Sequence, residues 1–400
     1  MEKTNPSILL LSREKIPTNR AVISKLWCSI LPKKGVNVFW MAESRTNEKD
    51  RLLKSGKLSI FLYSSFYFKN QIMNNFFSFV KKFRFANFLA RNNRINQLQA
   101  RNGISDGLIC IIIKLVYGLP YSFHLSSLHG FADNSLIPSQ RGFQIYKFKF
   151  RVIIYPFLYK LILFYASIIQ PISKYMGNYL IKEANIDKAK IFPLPISSTI
   201  QEINNISSKE LSSRPIIVYS GSIGMERDID FIFELFQSLS KKIKNINFRI
   251  IGIVVKSTNK ENLMENLEKF QIKDSTEIFL NMPPSQVPSY LSSCDIGISP
   301  INPIEKYIVS TPTKTIEYLS NGLPVVCNNE ILDQEHIINN SKGGFAVPYS
   351  VNAFQEAIIS LISNKTLYSK MSEEGKNWIL NNRTYDSLSE PLIERYKEIV

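Results

Sequence analysis

The stretch STPTKTIEYLSNGLPVV, residues 310–326, reads as helix, stop and strand. Thr311 is a helix-capping residue type, Pro312 fits the first helical position, and Asn321-Gly322 ends the helix. Leu323 to Val326 then restarts as an apolar strand. Within the short helix, Lys314 and Glu317 stand one turn apart. Two readings are open for them. One is an ordinary surface ion pair, worth about 0.2–0.5 kcal/mol. The other is a cation and a carboxylate that together serve a nucleoside diphosphate.

The residues upstream bear on that choice. IIVYSGS (216–222) is an apolar strand that turns at Gly221, followed by the helical DIDFIFELFQSLSKKI. NFRIIGI (247–253), TEIFLNM and DIGISPI (295–301) are further strands, separated by NKENLMENLEKFQI and the short PPSQVPSYLSSC. Apolar strands alternating with helices call for a parallel sheet covered on both faces. Ligands of such sheets bind at the carboxyl ends of the strands. Gly221, Ser222 and Gly224 lie at one such end, with Arg227 just beyond, and the helix opening at Pro312 follows another. A diphosphate is held by backbone amides at glycines, by a helix N-terminus and by fixed cations. Arg227 and Lys314 supply the cations. A ribose diol asks for a carboxylate acceptor, and Glu317 sits one turn deeper on the helix face of Lys314.

The first half has the same rhythm. SILLLS (7–12) and VNVFWMAES (36–44) are strands around a loop and helix. Residues 95–130 read as strand, helix, strand, with His129-Gly130 at the end of the last strand and His124 inside the apolar YSFHLSSL as a structural residue. IIQPIS is a strand and KYMGNYLIKEANI a helix. FPLP and the polar run 197–215 mark a boundary. The expected division is a Rossmann-like domain over 1–196, a linker over 197–215, a second Rossmann-like domain over 216–380, and a helix over 381–400 that packs back toward the first domain.

Two stretches raise the question of a membrane. VIIYPFLYKLILFYASII (152–169) is apolar but contains Pro156 and Lys160. A central Lys costs roughly 3 kcal/mol on insertion scales, so a buried or interface-lying helix is expected instead of a span. LSIFLYSSFYFKNQIMNNFFSFVKKFRFANFLARNN mixes Phe and Tyr with Lys and Arg. It reads either as a helix with loops and a buried aromatic face or as an amphipathic helix lying on anionic lipid. The first residues, MEKTNPSILLLSREK, carry an apolar run too short for a secretion signal.

The 400 residues carry a net charge of +16, which favours an anionic partner. Nucleic acid is not expected, because a nucleic-acid groove clusters cations with stacking aromatics, whereas these charges read as dispersed over both halves. Cys28, Cys110, Cys294 and Cys327 are scattered without metal spacing, and the three histidines form no cluster, so no metal is expected.

Four segments carry a resemblance: YSGSIGMERDIDFIFELFQSL, FLNMPPSQVPSYLSSCDIGISP, STPTKTIEYLSNGLPVVCN and SKGGFAVPYSVNAFQEAI. They resemble the donor-binding domain of family 4 glycosyltransferases, in the branch with Ser-x-Pro-x-Lys-x-x-Glu-Tyr. QARNGISDGLI, SSLHGF and PISKYMGNYLI resemble its acceptor domain more loosely. The resemblance implies an α/β fold of two facing Rossmann-like domains (GT-B), parallel sheets flanked by helices. It also implies a retaining, metal-independent transferase that takes a UDP- or GDP-sugar and needs no cofactor. Carried over, the phosphate cations are Arg227 and Lys314, and the ribose carboxylate is Glu317. Gly221, Ser222 and Thr313 complete the donor site, and His129 faces the transferred sugar. Two departures stand out. Val309 occupies the position of the family's first glutamate, and the loop SREKIPTNRAV lacks the glycine pair that usually follows the first strand.

The expected activity is hexosyl transfer to an acceptor hydroxyl in polysaccharide, lipopolysaccharide or glycolipid biosynthesis. A lipid-linked glycan is the expected acceptor, with peripheral attachment to the inner face of the cytoplasmic membrane in the cytoplasm. The rival readings are a non-catalytic GT-B partner subunit, motivated by Val309, and a GT-B-shaped nucleotide-sugar epimerase. The epimerase would need an acid–base pair that the sequence does not display.

Overall fold

The computed structural model describes all residues except 1–4, 19, 46–49, 65–70, 129–142, 205–208, 224–227, 255–256 and 284–285. The chain divides into two compact units. The first comprises residues 1–195 with 385–400, and the second residues 196–384.

The first unit has a seven-stranded sheet. Its strands are β1 (Ser7–Ile16), β2 (Asn37–Ser44), β3 (Arg51–Ser55), β4 (Leu58–Tyr63), β5 (Gln97–Arg101), β6 (Tyr121–Leu125) and β7 (Ile168–Pro171), in the order β3-β4-β2-β1-β5-β6-β7. All neighbours are parallel except β3 with β4. The cause is visible in β1, where Ile8 to Leu11 are buried without interruption. A run apolar on both faces needs helices above and below it. These are α1 (Gln71–Arg91), α2 (Ile104–Tyr117), α3 (Phe143–Tyr165), α4 (Lys174–Ala184), a π-helix Val22–Ile30 and the C-terminal helix Tyr385–Lys397. Tyr385, Leu392, Ile393 and Tyr396 of that last helix share a core with Trp27, Val38 and Ile168.

Four expectations need correction. The aromatic, basic stretch opens with an antiparallel hairpin, β3–β4, and the helix begins only at Gln71. Gly56, at φ +56°, makes its turn, and β3 was hard to read because all five of its residues are exposed at a sheet edge. Residues 197–215 do not form a free linker. They include a helix at Ile200–Asn204, and Lys209 Nζ donates to the Cys294 carbonyl (2.6 Å) while Ser212 Oγ donates to Asp295 (2.9 Å). The charge is not dispersed over both halves. The first unit holds 31 Lys and Arg against 13 Asp and Glu, a formal +18, and the second holds 18 against 20, or −2. Finally, the Lys and Arg of that stretch are not all free to meet anionic lipid: Lys82 is buried, 2.8 Å from Asp106 Oδ1 and 2.6 Å from the Ser12 carbonyl.

The apolar helix expected at 152–169 is the second half of α3, which contains Pro156 and buries Tyr159, Ile162 and Leu163. No helix among the described residues is long and apolar enough to cross a membrane.

One face of this sheet is polar inside. Tyr396 Oη donates to Gln99 Oε1 (2.7 Å) and accepts from Trp27 Nε1 (3.2 Å) and Gln170 Nε2 (3.3 Å). His124 lies in the same layer, buried, with Nε2 3.3 Å from the Leu194 carbonyl and its ring edge-on to Trp27. Burial, then the Arg101 charge, pulls its pKa down to about 3. The unfolded value is near 6.5. A folded pKa below the unfolded one gives stability that is present above pH ~6.5 and lost as pH falls toward 3. Unfolding by urea, followed by tryptophan fluorescence, should show the first unit weaker at pH 5 than at pH 7. His124→Gln should flatten that dependence, and equal pH slopes in the two proteins would contradict the assignment.

The second unit has six parallel strands: β8 (Ile216–Ile223), β9 (Asn247–Val254), β10 (Thr276–Leu280), β11 (Ile296–Ser299), β12 (Val325–Asn328) and β13 (Gly344–Val347). Their order is β10-β9-β8-β11-β12-β13. The helices are α5 (Ile229–Lys242), α6 (Ser257–Lys269), α7 (Thr313–Ser320), α8 (Leu332–Ser341), α9 (Val351–Ser363) and α10 (Lys365–Asn382), so the C-terminal helix is α11. Phe233, Phe236, Phe248 and Phe354 fill one side of the sheet, and Tyr318, Leu319, Val325 and Ile337 the other.

Candidate functional site

In the second unit the strand order runs outward in both directions from the pair β8 and β11. Connections leaving these neighbours go to opposite sides, and the crevice at their carboxyl ends is where doubly wound sheets bind ligands. Gly221 and Ser222 end β8, and the segment after Ser299 leads to α7.

The start of α7 differs from the expectation in one detail that matters. Pro312 is the N-cap and Thr313 the first helical residue, and no side chain caps the first turn. Thr311 precedes the N-cap, and its hydroxyl donates to Asp333 Oδ2 at 2.7 Å. Asp333 is buried and also accepts from Arg383 Nη2 at 2.6 Å. The first turn contains no acid. Backbone N–H groups without a side-chain partner at a helix N-terminus form an anion site. Asn321 and then Gly322, at φ +69°, end the helix as its sequence requires.

Lys314 Nζ lies 2.7 Å from Glu317 Oε2, and the two side chains are 31% and 37% exposed. Both are therefore reachable from solvent at the edge of the crevice. A half-exposed pair at i, i+3 contributes only a few tenths of a kcal/mol to the fold, so stability does not account for its placement.

Buried polar residues hold this arrangement rigid. The Ser220 N–H donates to Tyr318 Oη at 2.7 Å, which ties the end of β8 to α7. The Tyr318 ring covers Gly297, where an added Cβ would stand 2.4 Å from ring carbons. Burial pushes the Tyr318 hydroxyl pKa well up, so it stays protonated. Tyr219 Oη donates to the Ser222 carbonyl (3.2 Å), and a Cβ at Gly221 would stand 2.7 Å from that hydroxyl oxygen. Gly221 is thus fixed by close approach. Gln334 Oε1 accepts from Ser299 Oγ (2.7 Å) and Thr315 Oγ1 (3.0 Å), while its Nε2 donates to the Ser299 and Asn328 carbonyls. Sequence reasoning missed Tyr318, Asp333, Gln334 and Arg383 as positioning residues. Tyr318 stood in the quoted pattern, while LDQEH gave no signal.

Of the residues predicted for the site, Gly221, Ser222, Thr313, Lys314 and Glu317 lie around this switch point. Arg227 and His129 lie outside the described residues. Asp228, next to Arg227, is pinned by a hydrogen bond from Tyr349 Oη (2.8 Å). Val309, at the position of the family's first glutamate, is buried. Among the described residues no group of His, Cys, Asp or Glu is arranged to hold a metal.

The first unit has its own switch point, between β1 and β5. There Glu14 Oε1 accepts from Arg20 Nε and Arg101 Nη1, both at 3.1 Å. The sequence reading singled out neither Glu14 nor Arg101.

Glu317→Gln should weaken nucleoside diphosphate binding while leaving the melting temperature close to wild type, because a neutral amide accepts less strongly from ribose hydroxyls. Unchanged affinity for UDP in a calorimetric titration would return Glu317 to the surface-pair reading.

Residues 201–378 match the family model of group 1 glycosyl transferases. An uncharacterized glycosyltransferase of Haemophilus influenzae is 25% identical over 185 residues, and that match spans 46% of this chain and 48% of the relative, about half of its length. Among solved structures, the sucrose-phosphate synthase of Thermosynechococcus elongatus aligns over 99% of both chains, with TM-score 0.72 and 12% identity. The Anabaena protein Alr3699/HepE in complex with UDP aligns over 98% of this chain and 100% of its own, with TM-score 0.69 and 11% identity. An E. coli structure described as trehalose-6-phosphate bound with UDP-2-fluoro glucose aligns over 98% and 99%, with TM-score 0.70 and 11% identity. The fold is the two-domain α/β fold of the GT-B glycosyltransferases, and the family match supports a glycosyltransferase function.

Proposed function

We propose that the protein is a retaining, metal-independent family 4 glycosyltransferase that moves a hexose or similar sugar from a UDP-sugar to an acceptor hydroxyl. The observation that carries this reading is the uncapped N-terminus of α7 at the β8/β11 switch point, with Lys314 and Glu317 on its first turns. Uridine is preferred over guanosine as the donor base because solved relatives of the same fold are described as complexes with UDP or a UDP-sugar.

The chemistry is an exchange of partners. The diphosphate takes the Lys314 ammonium and the free N–H groups of α7, and Glu317 is released to accept from the ribose diol. As the bond to the sugar breaks, negative charge grows on the leaving phosphate. Lys314, the helix dipole and Arg227 stabilise that charge more in the transition state than in the ground state. His129 is assigned to the transferred sugar. A lipid-linked glycan acceptor at the inner face of the cytoplasmic membrane fits the basic first unit, with its +18.

The test is hydrolysis of the donor. Purified protein incubated with a panel of UDP- and GDP-sugars should slowly release UDP from at least one of them. If every nucleotide sugar stays intact while UDP still binds, the non-catalytic partner reading replaces this one.

A further inference from the structure

We propose that the groove between α1 and the hairpin β3–β4 of the first unit binds the hydrocarbon chain of an anionic amphiphile, with its head group against Lys81 and Arg84. The floor follows from strand register. Met41 pairs with Phe61, and Phe61 with Leu52, so the three form one row across β2, β4 and β3 on the face that α1 covers. The Phe61 ring stacks on Phe85 of α1 at 4.9 Å. Beside that stack lies a cavity of about 420 Å³, whose further apolar lining is Phe77 and Val80.

The apolar lining continues beyond the cavity. Met73, Phe77, Val80, Arg84 and Phe88 recur at helical spacing and share one face of α1. Met73 and Phe88, at its ends, are 41% and 58% exposed, and Leu52 at the sheet edge is 51% exposed. From Arg84, where the head group sits, back to Met73 the stripe is roughly 16 Å long at 1.5 Å per residue. One leaflet of a bilayer offers about 15 Å of hydrocarbon, half the usual core. An extended alkyl or isoprenoid chain fits this length, and its Met73 end lies nearest the carboxyl edge of the sheet, because α1 follows β4.

The charge specifies the head group. From Arg51 to Ser105 the chain holds ten Lys and Arg and no Asp or Glu. Lys81 and Arg84 border the cavity. Lys81 is bonded to Asp50 at 2.6 Å, whereas Arg84 is exposed and has no ion-pair partner among the described residues. Guanidinium beside an apolar slot is complementary to a phosphate head on a hydrocarbon tail. Nucleic acid would be matched to the same charge, but it would bring no group to cover Met41, Phe61 and Val80. Taking the amphiphile as the sugar acceptor rests on the transferase reading above, while its binding in the groove does not.

The experiment is isothermal titration of the full chain, below the critical micelle concentration, with decyl phosphate, decyl maltoside, inorganic phosphate and a single-stranded DNA oligonucleotide. UDP is titrated into the same preparations. Decyl phosphate should bind one to one and more tightly than the other three probes. Leu52→Gln with Met73→Gln, both exposed and so harmless to the fold, should weaken it at least tenfold. Arg84→Gln should abolish the preference for decyl phosphate over decyl maltoside. The UDP isotherm should be the same in all variants. Unsaturable decyl phosphate, an unaffected double variant, or equal binding of inorganic phosphate or the oligonucleotide would each overturn the proposal. If decyl phosphate binds as expected but UDP does not, the groove stands and the acceptor assignment falls with the transferase reading.

Discussion

Lys314→Ala should slow release of UDP from the donor sugar by roughly 30- to 1000-fold in kcat/KM, about 2–4 kcal/mol of transition-state stabilisation. On the proposed reading the ammonium is a preorganised charge at the helix end where the diphosphate leaves, and a methyl group cannot replace it. The fold should not change, since the side chain is 31% exposed and its only ion pair among the described residues is the half-exposed one with Glu317. Circular dichroism and melting temperature check the fold, and UDP release under single-turnover conditions checks the rate. Turnover within threefold of wild type would show that Lys314 does not serve the phosphate.

Lys82→Met should have the largest effect on stability, and it acts in the other unit. Lys82 and Asp106 are both buried, and their ion pair at 2.8 Å joins α1 to the first turn of α2. Burial lowers the pKa of Lys82, but the Asp106 charge, Tyr63 and the hydrogen bond to Asp106 together more than offset this and leave it raised, so the lysine stays charged. Removing the cation leaves an uncompensated buried carboxylate, which costs about 3–5 kcal/mol. Against a total stability of about 5–15 kcal/mol, the loss is between about a fifth of the stability and all of it, and the soluble yield at 37 °C should fall. Replacing both partners, Lys82→Met with Asp106→Leu, should recover most of the loss, because two apolar groups need no partner. The checks are urea unfolding of both variants and their soluble yield. A single variant as stable as wild type would mean that the buried ion pair does not hold the first unit together.

The same pair shows why part of the first unit was opaque to sequence reading. KKFR looks like a solvated basic face, and helical spacing alone does not reveal that Lys82 turns inward to an acid 24 residues away. β3 was invisible for a related reason: an exposed edge strand carries no apolar alternation, and only Gly56 hinted at a turn. The second unit was far more legible. Its central strands β11 and β12 are buried on both faces and appear as short apolar runs, and α7 announces its bounds through Pro312 and Asn321-Gly322. Gly221, Lys314 and Glu317 could be singled out because the proposed diphosphate and ribose would each make a local chemical demand. The groups that hold them, Asp333, Gln334 and Arg383, were not, since their partners are distant in sequence and come together only through the sheet order.

The central claim is that the second unit holds a nucleoside diphosphate at the start of α7. The most direct measurement is a calorimetric titration of UDP into the wild type and into Lys314→Ala at moderate salt. A saturable one-to-one isotherm in the wild type is expected, with affinity lowered at least tenfold in the variant while its melting temperature stays the same. No heat of binding in the wild type, across uridine and guanosine diphosphates alike, or isotherms that superimpose for the two proteins, would contradict it.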